Sequence, residues 1–306
     1  LSSNGLSAQQ PIAATSLEIH EIINKYTYKA PCSSVTLSMG TTLDDYTTVV
    51  PVITPVEATD KSATFTIGDT NYVHLNENGR LQAKAIGSTT VYATKGNLSA
   101  QFSVAVLDNW INYAATSYQS GTGTAADPYI IASASQLAKL AYETRVNNNR
   151  YYGKYFKLAA NIDLGGRNWT PIGAIQYKDK FMNDTESFGG YFDGNGFTIS
   201  NLYVSVPTNR SWEYCGLFGF VRGADDQKAE IKNLAVTNAW VGSPDIETKY
   251  IVGILSGAAF NTEIDSCYTQ GNTLGSGFVG WNSVNGIIKN CYANANCGQA
   301  GFVNDN

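Results

Sequence analysis

A six-residue motif of alternating apolar and polar positions recurs in the C-terminal half of the chain. It reads Ile-x-Asn/Ser-Leu/Cys-x-Val/Thr/Ala and occupies residues 199–204, 231–236, 264–269 and 288–293. A glycine motif alternates with it, starting at Gly216, Gly253, Gly277 and Gly301. Short apolar strands and turn residues that return at such intervals are typical of a solenoid, in which equivalent strands stack coil on coil. The pattern therefore predicts a parallel β-helix.

The region from 30 to 108 shows a different pattern, with short runs rich in β-branched residues. Turn residues such as Asn78-Gly79 separate these runs, which cover 35–37, 49–53, 63–67, 72–75, 81–83, 89–93 and 101–106. So many short strands in so few residues predict a β-sandwich. The polar start of the chain indicates that residues 1–29 form a flexible tether.

One amphipathic helix is predicted ahead of the repeats. Leu137, Leu140 and Ala141 fall on one helical face, and Ser133 or Ser135 would be the N-cap. A helix at this place would cover the first coil, whose edge otherwise exposes apolar side chains and unpaired backbone. Residues 109–306 are thus expected to form a helix-capped β-helix.

Two families resemble parts of this chain. The segment 72–93, YVHLNENGRLQAKAIGSTTVYA, resembles the bacterial Ig-like domain of group 2, with Phe65 where that family often has tryptophan. Residues 128–306 contain YFKLAANIDL, WTPIG, FGGYFDGNGFTISNLYV and IKNLAV, and they resemble GLUG-repeat proteins. That resemblance implies a right-handed parallel β-helix on an adhesin-like exported protein, common in Bacteroides relatives, without catalytic residues. The expected fold class is all-β, with an Ig-like spacer at 30–108 before the β-helix.

Composition narrows the classes of partner. Charged residues make up 15% of the 306 residues, the net charge is −5, and no cluster of Lys and Arg is present. This charge balance argues against nucleic acid as a ligand, and no apolar stretch is long enough to span a bilayer. We expect an export segment upstream of Leu1, with a lipid anchor, and hence an extracellular or outer cell-surface location. The final Gly301 motif begins a further repeat, which predicts edge-to-edge self-association.

The cysteines and asparagines of the motif are interpreted as structural. Cys267 and Cys291 occupy the position that Leu202 holds in another copy, so we expect a stacked pair of free thiols, a disulfide being the alternative. The asparagines at the third motif position would form a ladder at a coil bend. These are Asn201, Asn233 and Asn290, with Ser266 in the third copy.

Little in the chain suggests catalysis. The two histidines, His20 and His74, lie outside the repeats, which excludes a histidine-based triad there. No two carboxylates recur at equivalent positions of the repeat strands, although sugar-cleaving sites need such pairs. We therefore expect no catalytic residues, no metal site and no cofactor.

Binding is the better-supported role. Tyr203, Tyr268 and Tyr292 share one motif position, and an outward stripe of these rings would stack on sugar rings or pack against a protein. The alternative is that the rings only stabilise neighbouring coils. Trp212, in an inserted loop, offers another binding edge. The predicted function is non-catalytic adhesion to a host or microbial surface glycan or protein. The rivals are a carbohydrate-active β-helical enzyme and a structural stalk from a longer surface protein.

Overall fold

The computed structural model describes residues 11–24, 27–39, 46–173, 176–178, 181–183, 186–205, 214–242, 251–283 and 285–305. The chain is mostly β, with 52% of residues in strands and 6% in helices. It divides into two compact units, Leu1–Leu37 with Asp45–Val106 and Ser38–Asp44 with Leu107–Asn306.

Two sheets are formed by the first nine strands. Their order is β2-β1-β4-β7-β6 in one sheet and β3-β9-β8-β5 in the other. The strands are β1 Ser16–Asn24, β2 Thr27–Pro31, β3 Ser34–Ser38, β4 Tyr46–Thr54, β5 Thr64–Ile67, β6 Val73–Leu75, β7 Arg80–Ala83, β8 Gly87–Lys95 and β9 Leu98–Leu107. Phe102, Val104 and Val106 of β9 are buried, and the residues between them are more exposed. This period of two places one face of the strand in the core.

The seven strands predicted between 30 and 108 are all present, but β1 and β2 were missed. The predicted tether over 1–29 is wrong for Ser16–Asn24, which pairs antiparallel with β4 and sets Leu17 opposite Ile53. Leu17, Ile19 and Glu21 are buried in alternation. The polar residues between them, and the buried glutamate itself, concealed this strand pattern in the sequence.

Most strands of the second unit belong to three parallel sheets. Sheet A has the order β10-β11-β15-β20-β24-β27, sheet B the order β12-β16-β21-β25-β28 with β17 also on β21, and sheet C the order β19-β23-β26-β29. The strands are β10 Tyr129–Ile131, β11 Tyr155–Leu158, β12 Ile162–Asp163, β13 Gln176–Lys178, β14 Phe181–Asn183, β15 Tyr191–Asp193, β16 Thr198–Ser200, β17 Tyr203–Ser205, β18 Tyr214–Cys215, β19 Phe218–Arg222, β20 Ala229–Lys232, β21 Ala235–Gly242, β22 Ile251–Val252, β23 Ser256–Phe260, β24 Thr262–Asp265, β25 Tyr268–Thr273, β26 Val279–Ser283, β27 Ile287–Lys289, β28 Tyr292–Cys297 and β29 Val303–Asp305.

The chain visits sheets A, B and C in turn. From β24 onward the register offset is constant at 24 residues, because Glu263 pairs with Ile287, Tyr268 with Tyr292 and Val279 with Val303. Two shorter pairs lie outside the three sheets, the antiparallel β13–β14 and the parallel β18–β22. The 24-residue spacing in the sequence is thus the length of one turn through all three sheets.

One apolar core lies between the sheets, and the predicted helix packs into it. The helix α1 spans Ala134–Arg145, and its N-cap Ser133 accepts a hydrogen bond from Gln136 N. Leu137 and Leu140 are fully buried in the same core as Phe156 and Ile231. Burial of each large apolar side chain contributes about 1.5–3 kcal/mol, so this packing holds α1 against the first coils. A short 3-10 helix, Trp110–Tyr113, precedes it.

The four motif copies are not structurally equivalent. Ile231, Ile264 and Ile288 form one inward-facing row of sheet A, in which Ile231 and Ile264 are buried and Ile288 is partly buried. The residue that continues this row is Phe192, whereas Ile199 lies in sheet B beside Val236. The first copy therefore sits one bend later in the coil than the other three.

Both bends have the same local construction, which explains the false alignment. Asn201 and Asn233 each adopt positive φ, 57° and 52°, after an apolar strand residue. A buried leucine follows in each case, Leu202 or Leu234. A polar residue that tolerates the left-handed conformation, followed by an apolar residue turned inward, satisfies either corner.

Gly216 and Gly277 of the second motif are required by close packing between coils. A Cβ on Gly216 would lie 2.3 Å from Gly253 O, and one on Gly277 would lie 2.3 Å from Gly301 O. Neither glycine has a positive φ. Close approach between backbones, and not a left-handed conformation, is therefore the reason for glycine at these two positions.

Candidate functional site

Two of the predicted binding residues lie side by side on sheet B. Tyr268 and Tyr292 are register partners in β25 and β28. Their rings stack with centroids 5.6 Å apart and planes 6° from parallel. The side of Tyr292 away from Tyr268 is accessible, since 62% of the residue is exposed. This pair is an aromatic surface that can receive a planar or apolar group.

Tyr203 does not extend that row, contrary to the prediction from the motif. It pairs with Trp240 of β21, and the two rings stack at 4.8 Å and 15°. Ala235 instead occupies the row of Tyr268. The misaligned first motif copy accounts for the difference. Trp212, the other predicted binding residue, lies outside the described residues.

The motif asparagines lie at coil bends, as expected, and their amides donate hydrogen bonds to aspartate carboxylates. Asn233 Nδ2 donates to Asp193 Oδ1 at 3.0 Å, and Asn290 Nδ2 donates to Asp265 Oδ1 at 2.9 Å. The bond from Asn290 lowers the pKa of Asp265. The amides therefore bond carboxylates of the neighbouring coil. The turn after Asp193 links β15 in sheet A to β16 in sheet B, so it is a bend between sheets.

Charged residues of alternating sign form one row on the outer side of sheet A. Successive coils place Lys157, Asp193, Lys232, Asp265 and Lys289 in register. Neighbouring strands lie about 4.8 Å apart, a distance at which like charges repel and opposite charges attract. The row is therefore electrically balanced along most of its length.

Two carboxylates do share an equivalent position, which corrects the expectation that none would. Glu230 and Glu263 are register partners in sheet A. Glu230 forms an ion pair with Lys232 of its own strand, and Glu263 forms one with Lys289 of the next coil. The hydrogen bond to Glu230 raises the pKa of Lys232. The two glutamates are therefore held by separate ammonium groups.

A second stacked tyrosine pair on sheet A was missed by sequence reasoning. Tyr155 and Tyr191 are register partners whose rings lie 4.3 Å apart at 13°. Gln227 Nε2 donates to the Tyr191 hydroxyl at 2.7 Å, and partial burial raises the pKa of Tyr191. The available signal was the repeated Tyr-Phe dipeptide, at 155–156 and 191–192. It falls in early, longer coils where the six-residue motif gives no register.

Cys267 and Cys291 are free thiols in adjacent coils. Cys291 Sγ lies 3.4 Å from Cys267 N, and Cys267 is the more deeply buried of the two. The hydrogen bond between the thiols raises the pKa of Cys267, with burial adding to the effect, and lowers the pKa of Cys291. Cys291 is therefore the more reactive member of the pair.

Two other features are absent from the described ranges, a membrane-spanning helix and a cluster of metal ligands. None of the helices there is long and apolar enough to cross a bilayer. Nor do three or more His, Cys, Asp or Glu side chains in those ranges come together in a geometry that could hold a metal ion. The polar chemistry of the second unit is instead spread along the outer faces of sheets A and B.

Comparison with known proteins identifies one domain and two relatives. Residues 34–106 match the family of the bacterial Ig-like domain (group 2). Halomucin of Haloquadratum walsbyi is 28% identical over 187 residues, which is 60% of this chain and 2% of that protein. The "Putative Gly-rich membrane protein" of Evansella cellulosilytica is 28% identical over 149 residues, 46% of this chain and 14% of that protein. The chain thus spans a small part of either relative.

Proposed function

We propose that this chain is a non-catalytic binding protein of the cell surface. In this proposal the second unit is a right-handed parallel β-helix of GLUG type, capped by α1, that presents binding faces. The Ig-like domain acts as its spacer. The observation that carries the proposal is the pair of stacked rings Tyr268 and Tyr292, with Tyr292 largely exposed on a parallel sheet. Amphipathic rings held rigid by their neighbours are suited to ligand contact at low entropic cost.

The location rests on the relatives and on the Ig-like match. One relative is named as a membrane protein and the other as halomucin. We extend a surface location to this chain, with a lipid anchor at the cell and a glycan or protein of a host or microbial surface as partner. Edge-to-edge pairing of the chain with itself belongs to the same proposal.

The test is a glycan and host-protein array probed with the full chain. We expect saturable binding that Tyr292→Ala weakens about tenfold, a loss of about 1.4 kcal/mol. The matched control is Tyr92→Ala, because Tyr92 is an exposed tyrosine of the Ig-like unit. Equal weakening by both variants would contradict the assignment of the binding face. No binding by any protein on the array would favour the structural stalk.

A carbohydrate-active enzyme is the second candidate, because Asp193 and Glu230 line one cleft of sheet A. Two carboxylates across a sugar are the usual apparatus of glycoside hydrolysis. Here, however, Glu230 is paired with Lys232, and Asp193 Oδ1 accepts two hydrogen bonds. Reducing-sugar release by the chain, abolished by Glu230→Gln, would establish the enzyme; our proposal predicts no release.

A further inference from the structure

A cleft lies on the outer side of sheet A, among residues that the proposed binding face on sheet B does not use. Its volume is about 410 Å³, within the usual range of small-molecule sites. Tyr155 and Tyr191 form one part of it and the early members of the charged row form another, while Ala125, Ala126 and Pro128 form a rim. It is thus bounded by the strands of three successive coils and by one loop.

The tyrosine pair gives the cleft a rigid aromatic wall. Each ring restrains the other through the 4.3 Å stack, and the Tyr191 hydroxyl is fixed by Gln227. On the opposite side from Tyr155, the register partner of Tyr191 is Glu230. An aromatic ring therefore stands directly beside a carboxylate in the same row. This combination suits a ligand with both apolar C–H faces and hydroxyl groups.

Hydrogen-bond donors and acceptors both remain available in the cleft. Within the described ranges, the ammonium of Lys157 has no hydrogen-bond or ion-pair partner. Asp193 uses Oδ1 for the Asn195 and Asn233 donors, and Glu230 uses Oε1 for Lys232. One oxygen of each carboxylate is left to accept from a ligand, and Lys157 is left to donate.

The charge of the cleft selects against ionic ligands. Lys157 and Lys232 are balanced by Asp193 and Glu230, so the net formal charge is zero. An anion near the lysines would also meet both carboxylates, and a cation would meet both ammonium groups. A neutral ligand with many hydroxyls can instead use each of these groups as a hydrogen-bond partner.

We infer that this cleft binds a neutral oligosaccharide, with Tyr155 and Tyr191 as the stacking wall and Lys157, Asp193 and Glu230 as hydroxyl partners. The inference rests on the proposed binding function but assigns it to a face other than that of Tyr292. It names the ligand class by its chemistry, uncharged sugar rings, whichever organism supplies them.

The experiment is titration calorimetry of the full chain with four neutral probes and two acidic ones. The neutral probes are maltohexaose, cellohexaose, mannohexaose and xylohexaose, and the acidic probes are an oligogalacturonate and a heparin hexasaccharide. We expect binding of at least one neutral probe, weakened about tenfold or more by Tyr191→Ala and several-fold by Lys157→Met. Tyr92→Ala, which removes an exposed tyrosine of the Ig-like unit, is the matched control and should leave the affinity unchanged, and Tyr292→Ala tests the face on sheet B. Far-UV circular dichroism and thermal melting verify that each variant is folded.

Each outcome decides the matter in one direction. Loss of neutral-sugar binding in Tyr191→Ala and Lys157→Met, with Tyr92→Ala unaffected, supports the cleft. Preference for the acidic probes overturns the neutral-ligand inference. Failure of all six probes also overturns it, yet capture of a protein on the array would still support the proposed function. Neutral-sugar binding lost only in Tyr292→Ala would move the site to sheet B.

Discussion

Replacement of Asn233 by alanine isolates the contribution of a left-handed bend residue to the parallel sheets. Asn233 has φ of 52°, lies at the bend between sheets A and B, and is exposed, so its replacement leaves no cavity. A non-glycine residue other than Asn or Asp pays roughly 1–2 kcal/mol for this conformation. Loss of the hydrogen bond to Asp193 adds about 0.5–1.5 kcal/mol, at the low end because the bond faces water. The expected destabilisation is about 1.5–3 kcal/mol.

Glycine at the same position separates the two contributions. Asn233→Gly loses the hydrogen bond but adopts positive φ without steric cost, so we expect it to be about 1–2 kcal/mol more stable than Asn233→Ala. With a urea m-value of about 2 kcal/mol per molar, the two variants should differ by roughly 0.5–1 M in midpoint. Both variants should unfold at a lower urea concentration than the parent chain.

Tryptophan fluorescence reads this unfolding selectively. Every tryptophan of the chain follows residue 107: Trp110, Trp169, Trp212, Trp240 and Trp281. Urea titration followed by tryptophan emission therefore reports on the second unit and not on the Ig-like sheets. If Asn233→Gly proved as unstable as Asn233→Ala, or less stable, backbone conformation would not be the reason for asparagine at this bend.

Three further predictions use other contacts of the second unit. Gly173→Ala should lower the free energy of unfolding by more than about 2 kcal/mol, because the added Cβ would lie 2.5 Å from Phe220 O at a residue with φ of 72°. Gly196→Ala, with open space around it, should cost only about 1 kcal/mol. Equal losses of stability in urea titration would contradict this prediction. Asp265 has a pKa below its ordinary value of 3.8, chiefly because Asn290 donates to it, so its stabilising effect is present above that value and lost as pH falls through the lowered pKa. The stability gap between the parent chain and Asp265→Asn should therefore narrow from pH 6 to pH 3, and a constant gap in urea titrations would refute the linkage. Iodoacetamide should label Cys291 before Cys267, as peptide mapping at short times would show, since the Cys291 pKa is lowered and the Cys267 pKa raised; the reverse order would contradict the assigned hydrogen bond.

Inward-facing positions were the most predictable part of the fold. The Ig-like strands and α1 follow from periods of two and of 3.6 that place residues such as Phe102 and Leu137 in a core. β1 escaped because its alternation includes the buried Glu21, which reads as a solvent-facing residue. A pattern of residue types cannot reveal a polar side chain whose partner lies on a distant strand.

The candidate site was less predictable, because its geometry depends on register between coils of unequal length. The constant offset of the last coils brought Tyr268 and Tyr292 together as expected. The longer early coils broke that regularity, so Tyr203 was assigned to a row that it does not join. Tyr155 and Tyr191 were overlooked for the same reason. Two bends with the same local residue types cannot be distinguished from the sequence alone. Only the hydrogen bonds between strands fix which residues are in register.

The outer face of sheet A shows how such a register can produce a binding site. Side chains in one row are all separated by the same strand spacing, so neighbours must not repel each other. The row from Lys157 through Lys289 avoids repulsion because its charges alternate in sign. The adjacent row begins with two tyrosines and continues with two glutamates, and only the glutamates need lysine partners. At the junction of these halves, between Tyr191 and Glu230, an aromatic ring meets a carboxylate that is engaged through one oxygen. Because Lys157 and one oxygen each of Asp193 and Glu230 remain available around this junction, a polar ligand can bind there, and the junction lies within the cleft.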